Sequence, residues 1–409
     1  MLDQVIVSGS NFFTLIYLAR HLDVANYGFF SLAMLAMLFL ANMQRALITR
    51  PLDILGAAEK ADLVLDRLLV LLKALWIAIP VAIVVLGALS LQFFPDFYLF
   101  LSCACYLLCF LLQEMIRRYW YTINRIQNAV RSDFISYCGQ LVIIVGMNYW
   151  WEISAYSAFL VMAATSLAAF LFDIRTIDFP GRAGRISLKE ISRQHWSISK
   201  WLVLTVITIW SAGQIYPLLI ASMGPAAVAT FTACGNILRA GSLVMQTVDN
   251  YLPSRAASLM KEKGANEFRR HLVQTFVLTI AGGAVFVLVI YVFALEILHV
   301  VYAGNYDHAV TVLRWMLPGA LFTVIGMIFG AYSLAMADSR ASFLANLAAT
   351  AFTMTIGLWS IMKFGLLGAA VASSLTAATS MIVQGGFVFA KIKKMRFIYP
   401  QPLEANGRV

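Results

Sequence analysis

Arg239 is the residue whose type and place most demand explanation. It lies inside an apolar run at 226–250, on a stripe formed by Thr232, Asn236, Arg239, Ser242, Gln246 and Asp249 at steps of three or four. That spacing puts all six on one face of a helix. A helix rises about 1.5 Å per residue, so Arg239 would sit about 20 Å into a hydrocarbon core of about 30 Å. Facing lipid there, a guanidinium costs at least about 2.5–3.5 kcal/mol. It is expected to face water inside a bundle, where it suits an anionic or polar ligand. A bond to a neighbouring helix carbonyl or to Asp249 is the structural alternative.

The other candidates are weaker. Arg314 sits just inside a later run, and Arg45 and Lys73 lie near run ends, where long cations snorkel to the interface. Gln214 and Tyr216 precede Pro217 and could bond a glycan, although Pro217 more simply marks a kink. The clusters Tyr119-Trp120-Tyr121 and Tyr149-Trp150-Trp151 read as interface belts. Asp3, Glu114, Asp173, Asp249 and Glu296 stand near run ends, with none at a helix centre. No His/Cys group has metal-ligand spacing, and no cofactor is expected. The five cysteines lie in apolar runs and form no secreted disulfide framework.

Composition says what must position these residues. The chain has 409 residues, of which 61% are hydrophobic and 12% charged, and mean hydropathy is +0.81. Soluble domains carry about 25% charged residues. The chain is therefore expected to be an all-α integral membrane protein, not a soluble enzyme. Apolar runs near 2–19, 28–48, 68–92, 97–116, 134–150, 155–173, 201–223, 226–250, 272–295, 309–333, 341–362 and 366–390 predict twelve membrane helices. Lysine and arginine crowd the even-numbered connections and the C-terminal tail, while the odd-numbered ones hold only Arg20 and Lys363. This asymmetry places both termini in the cytoplasm. It accounts for the net charge of +10 without nucleic acid. Pro180, Gly181 and Gly184 mark a linker, with an amphipathic stretch suited to the anionic leaflet.

The chain also repeats itself. Ala19, Ala25, Phe29, Met43-Gln44, Pro51 and Arg67 match Ala221, Ala227, Phe231, Met245-Gln246, Pro253 and Arg269 in constant register. Further on, Ala163-Ala164-Thr165-Ser166 matches Ala377-Ala378-Thr379-Ser380. The implied organisation is an N-terminal six-helix bundle (1–175), a cytoplasmic linker (176–200), a C-terminal six-helix bundle (201–390) and a cytoplasmic tail (391–409). An even number of spans per half makes the repeat parallel, and two such bundles around a central cavity can rock, which points to transport.

The stretch Ala19-Arg20-His21-Leu22-Asp23-Val24-Ala25-Asn26-Tyr27-Gly28 resembles the end of the first span in polysaccharide flippases. So does Ile297-Leu298-His299-Val300-Val301-Tyr302-Ala303-Gly304-Asn305-Tyr306-Asp307-His308-Ala309. Gly365-Leu366-Leu367-Gly368-Ala369-Ala370-Val371-Ala372 is similar to their last span. The family is the O-antigen and polysaccharide exporters of the multidrug/oligosaccharidyl-lipid/polysaccharide (MOP) superfamily, whose members usually carry a longer lead before the first span. The resemblance implies flipping of an undecaprenyl-diphosphate-linked oligosaccharide across a bacterial inner membrane. Membrane lipids, a polysaccharide polymerase and export machinery are the implied partners. A multidrug/cation antiporter of the same superfamily is the alternative. Such antiporters typically use a carboxylate in an early span, and here Asp3 is the only acid near the first, at its entrance. Coupling to H⁺ or Na⁺ stays open. A membrane polysaccharide polymerase is disfavoured by the short external connections, and the lipid II flippases by their usual fourteen spans.

Overall fold

The computed structural model describes residues 2–57, 59–94, 96–177, 188–336 and 339–398; side chains are described except at 2–5, 188, 242–251, 254, 263, 265, 339 and 394–398. Every regular element among them is helical. In chain order they are α1 (Leu2–His21), α2 (Val24–Gln44), α3 (Arg50–Gly56), α4 (Ala61–Phe93), α5 (Phe97–Thr122), α6 (Ile126–Asp133), α7 (Gly139–Met147) and α8 (Ala155–Ile174). There follow α9 (Leu188–Ile209), α10 (Tyr216–Leu219), α11 (Pro225–Val292), α12 (Ala294–Tyr302), α13 (Val310–Ala335), α14 (Ser339–Phe352) and α15 (Leu358–Ile398). Two of these are helix pairs joined at a glycine: α11 at Gly264 and α15 at Gly365, whose φ of 61° only glycine adopts without strain.

Local chemistry sets several starts. Asp23 caps α2 by accepting from Asn26 N at 2.9 Å, and Asp96 caps α5 by accepting from Leu99 N at 2.8 Å. Ser154 and Ser157 close a reciprocal capping box at α8.

Eight helical segments among the described residues are long and apolar enough to cross a membrane: Val24–Gly56, Ala61–Phe93, Phe97–Thr122, Ile126–Met147, Ala155–Ile174, Asn266–Val292, Asp307–Ala335 and Arg340–Lys393. The last contains two of the expected runs, on either side of Gly365. The expected runs at 2–19, 201–223 and 226–250 are also helical over most of their length, the second being interrupted at Ile215. The outer faces are apolar: Leu91 is 89% exposed and Trp150 80%, with Trp76, Ile77, Val84 and Leu278 also exposed. Such faces belong against lipid.

Among the described residues, four five-residue π-helical turns interrupt the helices, at Arg45–Thr49, Phe134–Cys138, Trp210–Gln214 and Thr353–Gly357. Two carry hydroxyls that pin neighbouring helices. Ser136 donates to Gln113 Oε1 at 3.0 Å and lies 3.3 Å from the Ser166 hydroxyl. Thr353 donates to the Ala212 carbonyl at 2.8 Å and joins the hydroxyls of Thr376 (3.0 Å) and Tyr216 (3.5 Å).

The chain forms two compact units. The first holds Met1–Trp210, Pro217–Asn236 and Leu298–Asp307. The second holds Ser211–Tyr216, Ile237–Ile297 and His308–Val409. Compactness thus divides the chain differently from the sequence repeat: residues 201–210, 217–236 and 298–307 are built into the first unit. The first unit's core includes Tyr27, Phe30 and Phe159, with Phe30 and Phe159 stacked at 4.8 Å. The second centres on Phe268, Leu272, Ile328, Phe329, Tyr332 and Val388. Residues 178–187 of the expected linker lie outside the described residues, as does the tail beyond 398, and the chain is helical from Leu188.

Candidate functional site

Tyr27 and Arg45 stand about 27 Å apart along α2 and its π-helical continuation, so they mark opposite ends of the first unit. The two ends differ in kind.

At the Arg45 end, charges are buried together. Glu114 is 2% exposed. It pairs with Arg45 at 3.1 Å, Arg117 at 2.8 Å and Arg118 at 2.9 Å. Arg117 reaches on to Asp133 at 2.9 Å, and Arg118 to Asp53 at 3.6 Å. Arg131 lies 3.4 Å from the buried Asp173. Beside this network Arg67 grips Glu59 through two 2.7 Å bonds. Buried carboxylates need such partners, because an isolated buried charge is prohibitive. His195 on α9 is also buried here, beside the Leu47 backbone. Burial, reinforced by the Arg67 charge, pushes its pKa down to about 4.

At the Tyr27 end the contacts are neutral. The Asn236 side chain donates to the Tyr27 hydroxyl at 2.8 Å, and Asn236 is 1% exposed. The Tyr302 hydroxyl donates to the Ala233 carbonyl at 2.9 Å. The Tyr306 ring meets Tyr27 edge-on at 6.3 Å and Tyr302 at 5.1 Å. The positive φ angles of Ala303 and Gly304 turn the chain between those two tyrosines. Arg20 donates to the Val300 carbonyl at 3.3 Å, and Asn305 donates back to the Arg20 carbonyl at 3.0 Å. A Cβ on Gly28 would stand 2.0 Å from the Pro225 carbonyl oxygen, so the approach of α2 to the start of α11 requires glycine there. Two of the three stretches that carried the family resemblance in sequence therefore meet here in space.

Between these ends, the first unit has an uncharged polar seam. Gln140 donates to Asn11 Oδ1 at 3.1 Å, Ser10 touches Cys138 at 3.3 Å, and Asn148 donates to the Tyr17 hydroxyl at 3.0 Å.

The structure divides the candidate stripe. Thr232 Oγ1 and Asn236 are buried in the neutral end, whereas Arg239, one turn further, is exposed. The side chain of Gln246 lies outside the described residues, as do those of Ser242 and Asp249. Gln214 is exposed at the end of a π-helical turn. Tyr216 is buried, bonded to the Thr376 hydroxyl at 2.6 Å. Arg314 donates to the Tyr291 carbonyl at 3.2 Å, with its guanidinium 4.8 Å from the Tyr291 ring centre. Lys73 is exposed, and Arg45 belongs to the Glu114 network. One expectation is corrected. Tyr119 and Trp120 are buried and are no interface belt, because the end of α5 is enclosed by the charged network's helices. Tyr149, Trp150 and Trp151 are exposed. What sequence reasoning missed is the Glu114 network, the buried His195 and the Tyr27 contacts.

Residues 202–359 match the MatE family model. No curated protein matches the chain. Among solved structures, an inward-facing multidrug-resistance MATE transporter of the MOP superfamily is similar with a TM-score of 0.74 at 13% identity, covering 96% of each chain. The lipid II flippase MurJ is similar with a TM-score of 0.72 at 13% identity, covering 97% of this chain and 90% of that one. A MOP-superfamily transporter from Pyrococcus furiosus, described as having reversed binding-pocket polarity, gives 0.65 at 14% identity, covering 96% and 94%. The fold is that of the MOP-superfamily transporters.

Proposed function

We propose that this protein flips a lipid-linked oligosaccharide across the bacterial inner membrane by alternating access, as part of surface polysaccharide synthesis. In this reading twelve helices cross the membrane as two parallel bundles, with both termini cytoplasmic. The observation that carries it is Arg239: an exposed guanidinium on a helix whose other described stripe positions are neutral. A cation well inside a span attracts a diphosphate and repels a cationic drug. The Asn11–Gln140 pair in the first bundle is likewise an uncharged amide contact. The fold alone serves drug antiport and lipid flipping equally, since solved relatives of both kinds share it. The substrate assignment therefore rests on the residues.

The test is reconstitution of the full chain in liposomes carrying a polyprenyl-diphosphate-linked disaccharide. Movement of the sugar to the opposite leaflet is expected, with Arg239→Ala slowing it at least tenfold while the protein still inserts. Extrusion of a cationic dye without sugar movement would establish the antiporter instead.

A further inference from the structure

Two polar groups in the neutral end are badly served by the conformation seen here. Asn236 uses its amide nitrogen on Tyr27, but its Oδ1 has no partner among the described residues. Thr232 Oγ1, one turn earlier, is likewise buried and without one. A buried polar group without a partner destabilises the state that holds it. Val228, Ala229 and Ala233 on the same helix are apolar and fully buried. The bond to Tyr27 uses the Asn236 amide nitrogen alone, so closure by itself accounts for neither the Asn236 Oδ1 nor the Thr232 hydroxyl.

The cost makes sense if both side chains are needed when the contact parts. Thr232 and Asn236 are one helical turn apart on one face, about 6 Å between Cβ atoms, which suits two hydroxyls of one sugar ring. The Tyr27 hydroxyl, a combined donor and acceptor, has the chemistry of a sugar hydroxyl. Arg239 continues the row. From the neutral end inward the helix therefore presents hydroxyl, amide, then guanidinium. A lipid-linked glycan presents sugar, then diphosphate, in the same order.

We propose that Thr232 and Asn236 form a hydroxyl-recognition subsite for the sugar next to the diphosphate, and that Tyr27 fills it while the neutral end is closed. This rests on the flippase reading and adds a sugar contact to it. The subsite tests whether a sugar is present, with Arg239 holding the charge beside it.

The experiment compares two probes on the purified full chain: a polyprenyl diphosphate bearing one N-acetylhexosamine, and the same lipid without sugar. The wild type is expected to bind the glycosylated lipid roughly tenfold more tightly, the worth of two modest hydrogen bonds. The near-isosteric Asn236→Leu and Thr232→Val should abolish that preference and leave affinity for the bare lipid unchanged. Tyr27→Phe, which removes the stand-in hydroxyl, should strengthen binding of the glycosylated lipid alone. If either near-isosteric variant keeps the wild-type preference, the subsite is wrong and the flippase reading stands. Should Asn236→Leu not fold, Thr232→Val decides. Equal binding of both lipids by the wild type also overturns the subsite while leaving Arg239 its role. Binding of neither lipid overturns both proposals.

Discussion

At one end of the first unit Glu114 gathers three arginines; at the other Tyr27 meets Asn236, Tyr302 bonds the Ala233 carbonyl, Tyr306 meets the Tyr27 ring, and Gly28 lets two backbones touch. The first set is made of charges with little exposure, and separating them would leave ions buried and alone. The second consists of neutral hydrogen bonds, ring edges and a close approach, each individually worth about 1 kcal/mol. The segments involved differ as well. The charged end joins helices of the first half to one another. The neutral end joins that half to 217–236 and 298–307, segments from beyond the linker. A transporter that alternates needs some contacts that persist and others that are made and lost. The charged network has the energetics of the former and the tyrosine contacts those of the latter.

The sharpest way to break the comparison is Glu114→Ala. It takes from Arg45, Arg117 and Arg118 the carboxylate they share, leaving Arg117 with Asp133 and Arg118 with Asp53, and is expected to cost about 3–5 kcal/mol, seen as a large fall in Tm and in yield of inserted protein. Next comes Gly28→Ala. The new methyl meets a carbonyl 2.0 Å away, so the neutral end should part at about 1–3 kcal/mol. Here the overall fold should survive, and thiol reagents should reach Cys234, which is buried in the native chain. Tyr27→Phe is expected to act in the same direction by about 1–2 kcal/mol, with little change in Tm. The smallest effect is one of pH at the charged end. His195 is held neutral with a pKa near 4 against an ordinary 6.5, so the unfolded chain binds the extra proton between those values. Stability therefore falls as pH drops through that window, by at most about 1.4 kcal/mol per unit. Melting curves of His195→Gln should show a shallower dependence than the wild type between pH 7 and 4.5.

Much of this was legible in the residues. Long apolar runs announce helices, and each expected run falls within helical chain. The stripe through Thr232, Asn236 and Arg239 follows from periodicity alone. Periodicity names a face, however, not what covers it, so the burial of two members and the exposure of the third needed the structure. The Glu114 network was hidden for a different reason. Arg45 at a run end looks like a snorkelling cation until α2, α5 and α6 are seen to converge. Trp120 deceived in the same way, since an aromatic at a span end faces lipid only if no helix covers it. The π-helical turns left no sequence signal. Asn26-Tyr27-Gly28 was conspicuous as a motif, yet its partner, Pro225, is distant in sequence and found only by contact.

The claim that the neutral end opens while the protein works can be measured directly. Spin labels on His21 and Val300, with the five native cysteines replaced, report the distance across the Arg20–Val300 contact. The account predicts a short-distance population in the resting protein, joined by a second, longer by roughly 10 Å or more, once polyprenyl-diphosphate-linked sugar is added. A single short distance with and without that lipid, in protein shown to flip it, would contradict the account.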